Sequence, residues 1–252
     1  MQDSEYSNMF NLETSHWWYC GLHDLIESLI ASYRNQRVCE PERELSVFDA
    51  GCGTGGLMKR LSRYGSVTGI DYNQQAVLFC RQRGFTSVRQ ADLNTYTFTE
   101  KYDVIVCIDV LYHSAIKDDL TVFSKLCNAL APGGLLVLNL AAFDILRGSH
   151  DLAVSGLRRY QRNWIKKSLQ MLPDCAIELL TYRMFFLFPV MLTVRVYSRF
   201  FTKVKNETDL KQSPGFVNFI LKQYCRFENF IIRSKIPFPA GTSLFAVIRR
   251  KI

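Results

Sequence analysis

Residues 45–57 read LSVFDAGCGTGGL: a short apolar run, an aspartate, then four glycines within six positions. Glycine costs conformational entropy inside a strand or helix, so such a cluster marks a turn that a ligand approaches closely. In an open α/β sheet that place is the first strand-to-helix turn, beyond the carboxyl end of the strand. The spacing alone is ambiguous. Gly51, Gly53 and Gly56 satisfy the dinucleotide pattern GxGxxG, while Asp49, Gly51, Gly53 and Gly55 satisfy DxGxGxG.

Two acids narrow the choice. Asp49 ends the first strand, where a carboxylate repels a pyrophosphate and suits a cationic amino group. Asp71 ends the second strand, about one βαβ unit on, where an acid accepts hydrogen bonds from ribose hydroxyls. The expected ligand is cationic and carries a ribose.

Outward from this turn the chain alternates. Strands are expected at LSVFDA (45–50), SVTGID (66–71), TSVRQAD (86–92), YDVIVCID (102–109) and GLLVLNLAA (134–142), with helical patterns around 55–64, 73–83 and 117–130. Near-continuous apolar strands separated by helices predict a doubly wound, Rossmann-like parallel sheet covered on both faces. A helical pattern at 161–171, a strand AIELLTY (176–182), about fifty aromatic-rich helical residues and a last strand SLFAVIRR (243–250) follow. The last two strands read as an antiparallel pair, giving seven strands. The expected partition is an N-terminal helical lid over 1–44, a core over 45–182 and 239–252, and a helical cap over 183–238.

Composition bounds the rest. At 252 residues and 48% hydrophobic content the chain can bury a large core. The eight cysteines form no CxxC pair and no Cys/His cluster, which predicts reduced thiols, no metal and a cytoplasmic protein. The opening MQDSEYSNMFNLE lacks a signal pattern, and the longest apolar run, MFFLFPVMLTV (184–194), is too short to span a bilayer. Residues 1–150 carry 13 Lys/Arg against 17 Asp/Glu, whereas the remainder carries 18 against 6. The basic portion predicts an anionic partner: a phosphorylated substrate, a membrane surface or a nucleic acid.

The segments VFDAGCGTGGL, VTGIDYN, QADLN, YDVIVCIDVLYH and LAPGGLLVLNL, in this order, resemble class I S-adenosylmethionine-dependent methyltransferases over residues 45–141. SHWWYCGLHDLI (15–26), FFLFPVMLTVRV (185–196) and PFPAGTSLFAVIRRK (237–251) are similar to a bacterial methyltransferase-11/12/23-like subgroup with an HWW-type N-terminal segment. The resemblance implies S-adenosylmethionine as cofactor. Asp49 with Gly51, Cys52 and Gly53 would hold its methionine moiety, Asp71 its ribose, Tyr72 one adenine face, and Asp92 with Leu93 the adenine edge. Ile108 and Trp18 complete that set. The chain departs from the subgroup at Leu157, where a histidine often precedes the RRY of Arg158, Arg159 and Tyr160.

Around the strand ends, His113 and His150 are the candidate catalytic bases, the latter beside Asp151. Tyr112, His113, His150, Arg158, Arg159 and Tyr160 are the candidate substrate contacts, and His16, Trp17 and Trp18 a candidate aromatic lid. Arg195, Arg199, Lys203 and Lys205 can meet lipid headgroups, beside apolar positions at helical spacing (Phe216, Phe219, Ile220, Tyr224, Phe227, Phe230, Ile231) that read either as packing or as a lipid-facing surface. The expected reaction is methylation of a small or medium-sized hydrophobic acceptor on oxygen, lipid-linked or glycosylated. The alternatives are an RNA, nitrogen or carbon methyltransferase, a nicotinamide-dependent oxidoreductase, and a non-catalytic binding protein. Nucleic acid is disfavoured, because no RNA-binding module is evident and DVLYH stands where an Asn-Pro-Pro-Tyr motif would follow the fourth strand. The sequence leaves the oligomeric state open.

Overall fold

The computed structural model describes residues 3–36, 43–201 and 213–252. Two N-terminal helices, α1 (Asp3–Leu12) and α2 (Trp17–Gln36), precede β1 (Leu45–Ala50), α3 (Gly56–Leu61), β2 (Gly65–Asp71), α4 (Gln74–Gln82) and β3 (Val88–Gln90). Then come β4 (Tyr102–Ile108), α5 (Asp119–Asn128), β5 (Leu130–Ala141), the short α6 (Ser149–Ala153), α7 (Arg162–Gln170) and β6 (Cys175–Arg183). Two further helices, α8 (Phe188–Phe201) and α9 (Gly215–Arg233), separate β6 from β7 (Ser243–Arg250).

The seven strands lie in the order β3-β2-β1-β4-β5-β7-β6. β1 to β5 pair in parallel, and β7 runs antiparallel to both β5 and β6, as the apolar patterning predicts. Strand side chains alternate between faces, and each face has its own core. Ile105 and Cys107 of β4 pack with Phe123, Leu126 and Ile165 on one face, whereas Val104 and Val106 pack with Leu22, Leu25, Ile26 and Met58 on the other. Both layers bury large apolar side chains, the main source of folding stability in such sheets.

The strand order reverses beside β1, between β1 and β4, and this places the ends of β1, β2 and β4 around one crevice. On the side of α2 the crevice is closed by a tight helix pair. α9 packs along α2, where Asn229 Nδ2 donates to the Gly21 carbonyl at 2.7 Å and a Cβ on Gly21 would lie 2.6 Å from that of Cys225. Asn218 of α9 accepts from the Trp17 N–H at 2.8 Å and so caps the start of α2. Glu228 and Asn229 of α9 thus face inward, and its phenylalanines do not. Phe216, Phe219, Phe227 and Phe230 are all more than half exposed.

Candidate active site

The carboxyl ends of β1, β2 and β4 open into one cavity of about 740 Å³. The turn after β1 needs its glycines. Gly51 and Gly53 adopt φ of +91° and +53°, and a Cβ on Gly51 would lie 2.3 Å from Val110 Cγ2. Asp49 is buried at the cavity wall, and burial together with the neighbouring Asp71 and Glu13 carboxylates pushes its carboxyl up to about 8. Three acids crowded behind a glycine turn favour a cationic ligand group.

Asp71 is tied down on several sides. Its Oδ2 accepts from the Gly53 N–H at 2.9 Å, and its Oδ1 accepts from the Asn73 N–H at 2.9 Å and the Tyr6 hydroxyl at 3.3 Å. Burial nevertheless raises its carboxyl above the usual range. Tyr72, 64% exposed, stands at the rim, and Asp92, whose Oδ1 accepts from the Asn94 N–H at 2.9 Å, lies with Leu93 further along the wall. Cys52, Ile108 and Trp18 line the same cavity, as do His16 and Trp17.

The acceptor side is built around β4 and the segments that follow β5. Asp109, at φ +58°, lines the cavity, and both its oxygens accept from Asn139 Nδ2 of β5, at 3.0 and 3.2 Å. The fold encloses this carboxyl without covering it, and burial pushes it up to about 7 against the opposing effect of Asn139 and Arg183. Tyr112 and His113 line the cavity beside it. His113 Nδ1 accepts from the Ala115 N–H at 3.0 Å and burial lowers the ring to about 4, so the imidazole is neutral with its proton on Nε2.

Several substrate candidates serve the scaffold instead. Arg158 donates to the carbonyls of Ile116 and Lys117, at 2.8 and 3.1 Å, and Tyr160 is buried with its hydroxyl on Asp119 at 2.7 Å. Neither is among the residues lining the cavity. Arg159 does line it, but its guanidinium is bidentate with Asp151, at 2.9 Å twice, and donates to the Ala142 carbonyl at 2.7 Å. Asp151 thus binds Arg159 and the Gly148 N–H, and the side chain of His150 lies outside the described residues. Arg195 is buried against Gly148 at the cavity and does not face headgroups. The Arg199 side chain, Lys203 and Lys205 lie outside the described residues.

Two cavity residues escaped the sequence reading. Glu13 accepts from Thr54 Oγ1, the Gly56 N–H (3.1 Å) and Arg83 Nη2 (2.7 Å), clamping the end of α1 to the glycine turn. Gly56 is required there, since a Cβ would fall 2.3 Å from Glu13 Oε2. Asp109 is the other. Its signal in the sequence was its position at the carboxyl end of an apolar strand, near which Asp49 and Asp71 also stand on theirs.

These residues fit S-adenosylmethionine: buried acids for its cationic portion, a turn only glycine tolerates, and an exposed tyrosine at the rim of a cavity that an acid and a leucine also line, for adenine. Comparison with known proteins agrees. Residues 47–134 match the family profile described as a methyltransferase domain. The ubiquinone biosynthesis O-methyltransferase of Hydrogenovibrio crunogenus is 26% identical over 140 residues, covering 50% of this chain and 56% of that protein. The probable tRNA methyltransferase 9B of Homo sapiens is 31% identical over 99 residues, covering 39% of this chain and 22% of that protein. The chain thus spans about half the length or less of these curated relatives. The plantazolicin methyltransferase BpumL, solved in complex with SAH, superposes with a TM-score of 0.56 at 12% identity over 99% of this chain and 90% of that one, and so shares the fold. Sheet order, glycine turn and family match together make residues 47–134 a methyltransferase domain of the class I, S-adenosylmethionine-dependent kind.

Proposed function

We propose that the protein transfers a methyl group from S-adenosylmethionine to an oxygen of a small or medium-sized hydrophobic acceptor. One observation carries this reading. The cavity lined by the acidic glycine turn and Asp109 is also lined by the apolar Leu146, Met184, Leu187 and Met191. Bound there, S-adenosylmethionine supplies an already activated methyl group, so the chain has to align the acceptor and exclude water. Helices α1 and α2, with His16, Trp17 and Trp18, act as a lid, and α8 with α9, which packs on α2, as a cap over the same cavity.

An acceptor hydroxyl loses a proton as it is methylated, and Asp109 is the group suited to take it. Its carboxyl is oriented by Asn139 and titrates near neutrality. His113, with Nδ1 engaged by the backbone, serves as an Nε2–H donor that orients the acceptor beside Tyr112.

The test is methyl transfer to a panel of phenolic, carboxylic, amine and RNA acceptors by the parent, Asp109→Asn and His113→Ala. Transfer to a hydrophobic hydroxyl acceptor that falls about 100-fold or more in Asp109→Asn supports the proposal. Efficient transfer to RNA alone, or to nitrogen with no dependence on Asp109, overturns it.

A further inference from the structure

Helix α9 carries apolar side chains on its outer face as well as on its buried one, unlike an ordinary packed surface helix. Its inward face sets two polar anchors beside the buried Cys225 and Ile232: Glu228 accepts from the Met184 and Phe185 N–H groups, at 2.6 and 2.9 Å, and from the Tyr224 hydroxyl at 2.5 Å, while Asn229 holds Gly21. These bonds set the rotation of the helix about its axis. They turn Phe216, Phe219, Phe227 and Phe230 outward, each more than half exposed, with Ile220 beside them. On α8, Val190, Val194 and Tyr197 are likewise more than half exposed.

We propose that this face docks on an anionic lipid bilayer surface. Charge supports that occupant: α9 carries Lys222, Arg226 and Arg233, and its one acid, Glu228, is buried. A face of phenylalanines among cations with no exposed acid suits an interface of acyl chains and anionic headgroups. A second copy of the chain would set the same cations against one another. Among the described residues no helix is long and apolar enough to cross a membrane, so the contact is a shallow one in the plane of the interface. The helices also wall the cavity, through Val190, Met191 and Leu221. Docking would therefore bring the apolar end of the cavity to the bilayer, from which a lipid-like acceptor can partition into it. This last step rests on the function proposed above; the docking itself does not.

The experiment is co-sedimentation of the full chain with vesicles of phosphatidylcholine alone and of phosphatidylcholine with phosphatidylglycerol. Analytical ultracentrifugation and cofactor titration are run alongside. The parent should bind the anionic vesicles, with partitioning that falls as salt rises. Replacing Phe216, Phe219, Phe227 and Phe230 by Ser should lower partitioning about tenfold or more, and Arg226→Glu with Arg233→Glu should abolish the preference for anionic lipid, both with cofactor affinity unchanged. Failure of the parent to bind either vesicle overturns the docking, as does a dimer in solution that the serine variant dissolves. Binding to vesicles without methylation of any hydrophobic acceptor leaves the docking standing and overturns the proposed acceptor class.

Discussion

Asn139, in the middle strand pair of the sheet, donates its side-chain N–H group to both oxygens of Asp109, 30 residues earlier in the chain. The amide favours the ionised carboxylate while burial opposes it, and the balance leaves Asp109 near 7. With Asp109 as base, methyl transfer to a hydroxyl acceptor should rise with pH through about 7, because only the ionised carboxylate accepts a proton. Asn139→Leu removes a group that lowers the pKa, so the rising limb should move to higher pH. A pH–rate profile for the parent and Asn139→Leu checks this. A limb in the same place in Asn139→Leu would exclude Asp109.

Asp49 should make the stability of the ligand-free protein pH-dependent. Its carboxyl is raised to about 8 in the fold, against about 3.9 in an unfolded chain. The unfolded state therefore releases its proton first. The stability that the protonated form contributes is complete below pH 4 and is lost as pH rises towards 8. Asp49→Asn cannot ionise, so its melting temperature relative to the parent should climb over that window. S-adenosylmethionine, whose cationic portion offsets the same carboxylate, should stabilise the parent more at pH 8 than at pH 5 and the variant much less. Thermal denaturation with and without ligand reads both.

Asp71→Ala should weaken S-adenosylmethionine binding by about 1.5–3 kcal/mol, the cost of a charged hydrogen bond, or roughly 10- to 160-fold. The variant also frees the Gly53 N–H and the Tyr6 hydroxyl, so α1 should exchange its amide hydrogens faster. Calorimetric titration and hydrogen exchange separate the two effects. Unchanged affinity would remove Asp71 from the cofactor site.

Glu13 holds a buried ion pair with Arg83, whose other donors reach the carbonyls of Thr54 and Phe10 at 2.8 and 3.0 Å. Glu13→Ala leaves that guanidinium without its carboxylate and should cost about 3–5 kcal/mol in urea unfolding. Because the same residue anchors Thr54 and Gly56, cofactor affinity should fall as well.

Much of this protein was legible in its sequence because the relevant signals are local. Near-continuous apolar runs such as VIVCI mark strands buried on both faces, four clustered glycines have a single economical use, and Asp49, Asp71 and Asp92 each sit just where a strand-end segment meets the crevice. These features require only neighbours within a few residues. They sufficed for the seven strands, the antiparallel β7 and the family.

Tertiary structure decided what long-range pairing controls. Glu13 meets the glycine turn from about 40 residues away, and Asn139 reaches Asp109 because β4 and β5 are neighbours in the sheet. Arg158 and Tyr160 look like ligands in a basic stretch, yet a carbonyl and carboxylate network fixes them away from the cavity. The helical period of α9 shows that it has an apolar face but carries no information about which way that face points. Glu228 and Asn229 set the direction, since buried polar groups must find partners, and theirs lie on the segment after β6 and on α2.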